Sequence, residues 1–266
     1  MDYIKKKLIS LLEEDIGFED ITSKILPDVE AKGVVIAKED CYVSCLEYGK
    51  FLFEYQGCKV KLLKKDGEFA KKGEKILEVS GNIKNILSTE RTVLNILSRA
   101  FGITTVKKKC SQRVKARVAA TRKTLMRYLD KKAVEIGGGD THRYRLDDMI
   151  LIKDNHIAVL GMEECIKKAK KLSFSKKIEV EVTRKEDAIK AAELGADIIM
   201  LDNMSPEEIK DVVETLKRED LRDKVLIEVS GGVTPDNIEE YDFGDIISMG
   251  FLTHSVRSID ISLEIV

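Results

Sequence analysis

Short apolar runs recur through the second half of the chain, and their spacing predicts its architecture. The runs are ARVAAT, DMILIK, KIEVEV, DIIMLD, VLIEVS and DIISMG. Most of them are separated by stretches in which apolar residues have helical spacing, such as RKEDAIKAAELG and SPEEIKDVVETLKRED. Strands that alternate with helices form a parallel sheet covered by helices. Because the six units carry no dinucleotide-binding fingerprint, we expect a closed α/β barrel rather than an open sheet.

The chain before about Val106 follows a different pattern, which indicates a mixed α and β unit. It begins with a helix that we expect Asp2 to cap and Gly17 to end. The apolar face of this helix comprises Ile4, Leu8, Leu11 and Leu12. A strand, a helix and a pair of strands with glycine turns follow, and a second amphipathic helix is predicted to begin near Ser88.

Composition limits the kinds of partner and compartment. The formal net charge of −1 gives the chain no overall attraction to nucleic acid or to an anionic membrane. No apolar run reaches the roughly 20 residues of a membrane span, and the N-terminus lacks a signal-peptide cleavage region. The five cysteines show no CxxC spacing. They therefore indicate reduced thiols in a cytoplasmic protein, with no zinc site.

Polar, charged or glycine residues lie at the end of each apolar run. These residues are Thr121–Lys123, Lys153–His156, Glu179 with Glu181, Asp202–Asn203, Ser230–Gly232 and Met249–Gly250. In α/β barrels the C-terminal ends of the strands converge on one mouth, where active sites lie. We therefore expect these residues to form a single site rather than six unrelated loops.

The residue types at this mouth predict a site for a polyanion. Permanent positive charge comes from Arg122, Lys123, Arg143 and Lys153. Glu181 and Asp202 offer hard oxygen ligands suited to Mg²⁺, which usually enters with substrate phosphates. Ser230–Gly232 precedes Thr234 and Pro235, which predict a helix start whose backbone N–H groups bind phosphate. Gly250 follows the next strand, and the last two strands of such barrels commonly form the phosphate site.

The three histidines also lie in polar clusters. They are His142 in GGGDTHR, His156 in LIKDNHI and His254 in SMGFLTHS. Such confinement of a rare residue type favours one polar site assembled from distant segments. No GxSxG or HExxH motif is present, and no cysteine lies near a histidine in sequence. The residues therefore favour transfer between two bound ligands over hydrolysis through a covalent acyl intermediate.

Several blocks along nearly the whole chain resemble the quinolinate phosphoribosyltransferase family, also called carboxylating nicotinate-nucleotide pyrophosphorylases. The blocks are EDIGFEDITS at 14–23, ERTVLNILSRAFGITT at 90–105, TRKT at 121–124, KKAVEIGGGDTHR at 131–143, LIKDNHI at 151–157, EVEV at 179–182, IIMLDN at 198–203, EVSGG at 228–232 and SMGFLTHS at 248–255. LIKDNHI together with TRKT is the most specific part of this resemblance.

The resemblance implies a fold with two domains. An N-terminal α/β sandwich is expected over residues 1–106, and an incomplete α/β barrel of about seven parallel strands over residues 107–254. A C-terminal helix over residues 255–266 is expected to return to the sandwich. The family works as dimers or higher homo-oligomers, with Arg91 reaching the active site of the partner subunit. No membrane or nucleic acid is implied.

The implied reaction joins quinolinate to phosphoribosyl pyrophosphate (PRPP) and yields nicotinate mononucleotide, pyrophosphate and CO₂ for NAD synthesis. The positions that match the family's catalytic residues are Lys123, Lys153, Glu181 and Asp202. Quinolinate is expected to contact Arg91, Arg122, Lys123, His142, Arg143 and Lys153. Mg²⁺ is expected to be held mostly through PRPP, near Glu181 and Asp202. The ribose 5′-phosphate is expected at Ser230, Gly231, Gly232, Gly250 and His254.

Three departures from the family pattern lie near the expected quinolinate pocket. The TRKT block continues as Leu125-Met126-Arg127 without the usual Pro-Gly, Thr141 replaces the usual asparagine before His142, and Ala100-Phe101 stands where a serine is usual. Three alternatives therefore stay open. These are an enzyme of the same fold acting on another aromatic acid, a nicotinate phosphoribosyltransferase, and a catalytically silent ligand-binding paralogue.

Overall fold

The computed structural model describes residues 3–266, so the predicted cap Asp2 lies outside the described residues. The chain forms two compact units. The first comprises the chain up to Lys107 together with Met126–Gly138 and Val256–Val266, and the second comprises Lys108–Leu125 and Gly139–Ser255. The predicted boundary at residue 106 therefore lies one residue before the point where the chain first passes from the first unit to the second. The sequence did not predict that residues 126–138 belong to the first unit.

The strands and α-helices of the described residues are numbered here in chain order. The strands are β1 (Glu30–Ala37), β2 (Cys41–Tyr42), β3 (Lys59–Leu62), β4 (Phe69–Ala70), β5 (Lys75–Asn82), β6 (Arg117–Ala120), β7 (Ile150–Ile152), β8 (Ile178–Val182), β9 (Ile198–Asp202), β10 (Leu226–Ser230), β11 (Ile246–Met249) and β12 (Ile261–Ile265). The helices are α1 (Tyr3–Ile16), α2 (Leu46–Tyr55), α3 (Ile83–Ser111), α4 (Arg127–Ile136), α5 (Asp154–Leu160), α6 (Met162–Leu172), α7 (Lys185–Glu193), α8 (Pro206–Arg218) and α9 (Phe251–His254).

The first unit is built on an antiparallel sheet in the order β12-β1-β5-β3. The C-terminal segment pairs with β1 as a strand, with Val35 opposite Leu263. The prediction of a helix over 255–266 is therefore wrong. The alternation of Ile261, Leu263 and Ile265 with polar residues has the period of two that a strand requires. This pairing gives the outer edge of β1 a hydrogen-bonded neighbour.

Two other details of the first unit differ from the predictions. Helix α3 begins at Ile83, directly after β5, and not near Ser88. Helix α4 packs within the first unit because Leu129, Ala133 and Val134 are buried, and the Oγ1 of Thr104 donates a 2.8 Å hydrogen bond to the carbonyl of Ala133. The predicted end of α1 is confirmed, since Gly17 follows the helix with φ +62°.

The second unit contains a parallel sheet in the order β6-β11-β10-β9-β8-β7. Each of the six predicted runs forms one of these strands, so the α/β class with a parallel sheet is confirmed. Within residues 3–266 the sheet has six strands rather than about seven, and β6 and β7 are its edges. A single parallel bridge between Ala119 and Asp140 lies beside β6, where a further strand would stand.

The core of the second unit lies between the sheet and its helices. Fully buried residues include Val180, Ile199, Leu201, Ile227, Val229 and Ile247 from the strands, and Ala188, Ile209 and Leu216 from the helices. Such near-continuous apolar strands are typical of parallel sheets, which are covered on both faces. Among the described residues, no helix is both long enough and apolar enough to cross a bilayer.

Candidate active site

A cavity of about 300 Å³ opens at the C-terminal ends of the strands of the second unit. Its lining comprises Thr121, Arg122, Lys123, His142, Arg143, Leu151, Lys153, Glu181, Met200, Asp202, Glu228, Ser230 and Ser248. Thr121, Lys153, Asp202 and Ser230 end or directly follow a strand, as expected for a parallel α/β sheet, in which ligands bind outside the carboxyl ends of the strands. The structure thus brings together eight of the predicted site residues in one space.

The segment after β6 contributes two cations to the cavity. The hydroxyl of Thr121 lies 2.8 Å from that of Thr253, and it accepts a hydrogen bond from the backbone N–H of Lys123. These contacts fold the segment back on itself directly after the strand. The Nη1 of Arg122 is buried and has no hydrogen-bond partner among the described residues. A buried guanidinium nitrogen without a partner is suited to bind an anion that enters the cavity.

Two carboxylates and a lysine form a charged group on the wall made by β7, β8 and β9. The Nζ of Lys153 forms an ion pair with the Oε2 of Glu181. Burial raises the pKa of Asp202, and the neighbouring charge of Glu181 raises it further, while Lys153 and Lys123 lower it. A hard divalent cation bound by both carboxylates would remove their mutual repulsion, and their oxygens are the ligands that such a cation prefers.

The loop after β10 is held by close contacts between backbone segments. Gly231 and Gly232 have φ values of +89° and +66°. A Cβ on Gly231 would lie 2.2 Å from the Oδ1 of Asn203, whereas one on Gly232 would meet no atom within 4 Å. Only glycine fits at residue 231, because both the conformation and the space exclude a side chain.

The predicted helix start at Thr234 and Pro235 is wrong. The chain there forms turns, followed by a short 3₁₀ helix at Ile238–Tyr241. The Oδ1 of Asn237 accepts hydrogen bonds from the N–H and hydroxyl of Thr234, which closes a tight turn instead of an α-helical one. A phosphate at this loop would therefore meet turn amides and not the N-terminus of a helix.

Gly250 and His254 are neighbours although neither lines the main cavity. The backbone N–H of His254 donates a 3.0 Å hydrogen bond to the carbonyl of Gly250. A Cβ on Gly250 would lie 2.6 Å from the Nε2 of His254. The imidazole thus lies close over the glycine, and its Nδ1 is 2.6 Å from the hydroxyl of Ser255.

The loop before β7 places His142 at the floor of the cavity. Its backbone N–H donates a 2.9 Å hydrogen bond to the Oδ1 of Asp140, which supports a left-handed conformation with φ +49°. The Nε2 of His142 lies 3.2 Å from the Oε2 atoms of both Glu179 and Glu228. Both glutamates are fully buried. The backbone N–H of Arg143 donates a 2.7 Å hydrogen bond to the Nδ1 of the ring.

The electrostatics of this cluster favour retention of a proton. Burial lowers the pKa of His142, but the hydrogen-bonding and charge effects of Glu179 and Glu228 outweigh burial and raise this pKa to about 9. Burial also raises the pKa of Glu179. The Nε2 of the ring faces both carboxylates at 3.2 Å, so the positive charge of the ring lies against the two buried glutamates.

Sequence reasoning missed some residues of this site and misjudged others. Glu228 and Ser248 line the cavity but were not predicted. The signal for Glu228 was a single acidic residue inside the apolar run VLIEVS. His156, by contrast, caps α5: its Nδ1 accepts a 3.0 Å hydrogen bond from the backbone N–H of Lys153. Arg91 lies on α3 in the first unit, and its side chain is exposed.

Comparison with known proteins gives the family of the chain. A family model described as quinolinate phosphoribosyl transferase, C-terminal domain, matches residues 100–264, and the corresponding N-terminal domain model matches residues 20–101. The chain belongs to the quinolinate phosphoribosyl transferase family. The resemblance seen in the motifs of the chain is thereby confirmed.

Several members of this family match the chain along nearly their whole length. A probable nicotinate-nucleotide pyrophosphorylase (carboxylating) of Methanocaldococcus jannaschii is 50% identical, over 100% of this chain and 98% of the relative. A protein of the same name from Methanothermobacter thermautotrophicus is 44% identical with the same coverage. The crystal structure of nicotinate-nucleotide pyrophosphorylase from Ehrlichia chaffeensis is similar, with a TM-score of 0.93, 30% identity, and coverage of 100% of this chain and 99% of that one.

Proposed function

We propose that this protein transfers the phosphoribosyl group of PRPP to quinolinate, with loss of CO₂, to give nicotinate mononucleotide for NAD synthesis. The observation that carries the proposal is the single cavity in which four cations, Arg122, Lys123, Arg143 and Lys153, lie with the carboxylates Glu181 and Asp202. Relatives named for the carboxylating pyrophosphorylase reaction, 44–50% identical over the full chain, support it. The reaction needs such a site because both of its substrates are highly anionic.

The two carboxylates of quinolinate would bind between the guanidinium groups of Arg122 and Arg143 and the ammonium of Lys153. Burial and the nearby charge of Arg122 lower the pKa of Arg143, so an anion bound between the two guanidinium groups would relieve their repulsion. A dicarboxylate would do so with bidentate contacts to the guanidinium forks. We propose that Arg91 completes this half of the site from the partner subunit of a homodimer or higher oligomer.

Mg²⁺ would enter with PRPP and be held near Glu181 and Asp202. The residues fit this ion, because their oxygens are hard ligands and the charge of Glu181 already raises the pKa of Asp202. When bound, the ion neutralises charge on the pyrophosphate. The charges of Lys153 and Lys123 lower the pKa of Asp202, so both cations act at the proposed Mg²⁺ site. They would bind the pyrophosphate leaving group together with the ion.

The ribose 5′-phosphate would be anchored at the loop after β10 and at Gly250. Ser230 ends β10 and lines the cavity, and Gly231 and Gly232, which carry no side chains, form a left-handed turn whose backbone amides would bind the phosphate. His254, close over Gly250, adds a ring nitrogen. These contacts would fix the end of PRPP opposite the pyrophosphate.

The chemistry follows from this placement of the two substrates. The ring nitrogen of quinolinate forms a bond to C1 of the ribose as the bond from C1 to the pyrophosphate oxygen breaks. The ring nitrogen becomes cationic and stabilises the electron pair left on C2 when the adjacent carboxylate leaves as CO₂. C2 then takes up a proton. The protein contributes alignment of the two reactants and cations against the departing pyrophosphate.

The test is a substrate comparison with purified protein. With PRPP and Mg²⁺, quinolinate should release CO₂ and pyrophosphate in equal amounts, and nicotinate should not react. Turnover of nicotinate with none of quinolinate would reject the assignment. We also propose a cytoplasmic location, because none of the five cysteines forms a disulfide in the structure and cytosolic proteins keep their thiols reduced.

A further inference from the structure

Two glutamates of the parallel sheet, Glu179 on β8 and Glu228 on β10, have no role in the proposed reaction, although Glu228 lines the cavity. Their side chains are fully buried. Their Oε1 atoms have no hydrogen-bond partner within residues 3–266, and both Oε2 atoms lie 3.2 Å from the Nε2 of His142. Two buried carboxylates are costly unless a nearby group compensates them. The imidazole of His142 is the group on which both converge.

His142 connects this pair to the acid-binding half of the cavity. The ring contacts the carboxylates through Nε2 and the backbone N–H of Arg143 through Nδ1. The backbone of His142 is itself fixed by the Oδ1 of Asp140. A continuous series of contacts therefore runs from the two glutamates, through the ring, to the main chain that carries the Arg143 guanidinium.

Arg143 needs such support because its neighbour in the cavity is another cation. Burial lowers the pKa of Arg143, the charge of Arg122 lowers it further, and the charge of Glu179 opposes these effects. Without substrate, two guanidinium groups in one cavity repel each other. The buried carboxylate of Glu179 supplies negative charge that acts on Arg143.

The same three residues have the donor set of a metal site. One nitrogen of His142 and one oxygen of each glutamate lie within 4.8 Å of one another. A metal-bound histidine, however, donates the N–H of its other ring nitrogen to an acceptor. Here Nδ1 faces the backbone N–H of Arg143 and not an acceptor, which is not the arrangement of a metal-bound histidine.

We infer that Glu179 and Glu228 are positioning residues for quinolinate binding, because their buried carboxylates fix His142 and thereby hold Arg143 ready beside Arg122. This inference rests on the proposed function for the identity of the acid. It assigns to His142 a structural link to Arg143 in addition to its place in the lining of the cavity.

Kinetics of Glu228→Gln and Glu179→Gln test the inference, since glutamine keeps the shape and removes the charge. We expect KM for quinolinate to rise at least about tenfold, while KM for PRPP stays within about twofold. Asp245→Asn is the matched control: Asp245 accepts hydrogen bonds from Arg222 and Ile227 at the opposite end of the sheet. Equal changes in both KM values, or the same change in the control, would overturn the inference.

A second measurement needs no turnover. The chain has three histidines, so ¹⁵N spectra of histidine-labelled protein resolve His142, which is assigned by its loss in His142→Gln. In the wild type its ring signals should stay constant from about pH 6 to about pH 8, and in Glu228→Gln they should titrate within that range, with a shift of the Arg143 amide. Titration of the wild-type His142 ring near the ordinary pKa of a histidine would show that the two glutamates do not hold the ring, and would overturn the inference.

Metal analysis and turnover assays of the same purified proteins test two further possibilities: that the cluster binds a metal ion, and that the proposed function is wrong. One metal ion per purified chain that is lost in both glutamine variants would make the cluster a metal site and overturn the inference. Wild-type protein that fails to turn over quinolinate would reject the proposed function, whereas the ¹⁵N comparison would still decide whether the glutamates fix His142 and Arg143.

Discussion

The side-chain amide of Asn203 donates a 2.7 Å hydrogen bond to the Oδ2 of Asp202. Asn203 has φ +55°, and its backbone N–H donates to the carbonyl of Ser230. The same side chain lies where a Cβ on Gly231 would stand. The carboxylate proposed to bind Mg²⁺ and the loop proposed to anchor the phosphate are therefore held by one residue.

Gly231→Ala should disturb both ends of the PRPP site. The added Cβ would lie 2.2 Å from the Oδ1 of Asn203, so Asn203 must move and release Asp202. We expect kcat/KM for PRPP to fall at least about 100-fold and stability to fall by about 2–4 kcal/mol, measured by urea unfolding. Gly232→Ala has similar backbone strain but no collision. It should cost only about 1–2 kcal/mol, and equal costs for the two variants would contradict the collision argument.

Asp202→Asn should change the requirement for Mg²⁺. Loss of one charged oxygen ligand leaves Glu181 as the remaining carboxylate of the pair, so we expect the Mg²⁺ concentration for half-maximal rate to rise at least about tenfold. Rates measured over a range of Mg²⁺ concentrations, and after removal of the ion with a chelator, test this. Asp197→Asn is the control, because Asp197 precedes the same strand and binds the N–H of Ile178 at its other end. An unchanged Mg²⁺ dependence in Asp202→Asn would remove this residue from the metal site.

The contribution of His142 to stability should depend on pH with a defined sign. Its pKa is about 9 in the folded protein against 6.5 for an unperturbed histidine, so folding favours proton uptake by this cluster. The stabilisation is complete below about pH 6.5 and is lost as the pH rises through about 9. The difference in unfolding free energy between wild type and His142→Gln should therefore shrink from about 1–3 kcal/mol near pH 6 toward zero above pH 9. A difference that grows with pH would show that the cluster excludes the proton.

Much of the second unit could be predicted because its pattern is local. Each apolar run forms a strand, and Lys153, Asp202 and Ser230 meet because parallel strands end at the same edge of the sheet. Glu228 was missed because one acidic residue in a buried strand gives no sign of its partner, which is 86 positions away in His142. Contacts of that kind depend on tertiary packing and not on spacing.

One error in the first unit, the missed assignment of residues 126–138, also comes from contacts that depend on tertiary packing. Residues 126–138 have a helical pattern, and nothing local shows that Asp130 pairs with Arg99 of α3 at 2.7 Å. The segment 255–266 was assigned as a helix from the resemblance to the family, although its alternating Ile261, Leu263 and Ile265 match the strand that pairs with β1. Pattern and resemblance disagreed at this segment, and the pattern was right.

The proposed role of Arg91 in the partner subunit predicts rescue between two inactive variants. Arg91 is exposed on α3 of the first unit, whereas Lys153 lines the cavity of the second. Arg91→Ala and Lys153→Ala should each lose nearly all activity. In a dimer of one subunit of each kind, one site would combine an intact Arg91 with an intact Lys153, and the other would lack both. An equal mixture after subunit exchange should then recover about one quarter of wild-type activity, since half of the dimers are mixed.

The control for this experiment is a mixture of Lys153→Ala with Asp202→Ala. Both residues line the same cavity of one chain, so each mixed dimer would have one defect in each site and no activity should return. Exchange itself is checked by mass spectrometry of differently tagged subunits. If mixed dimers form but the Arg91→Ala and Lys153→Ala pair stays inactive, Arg91 does not act across subunits, and the exposed position of its side chain needs another explanation.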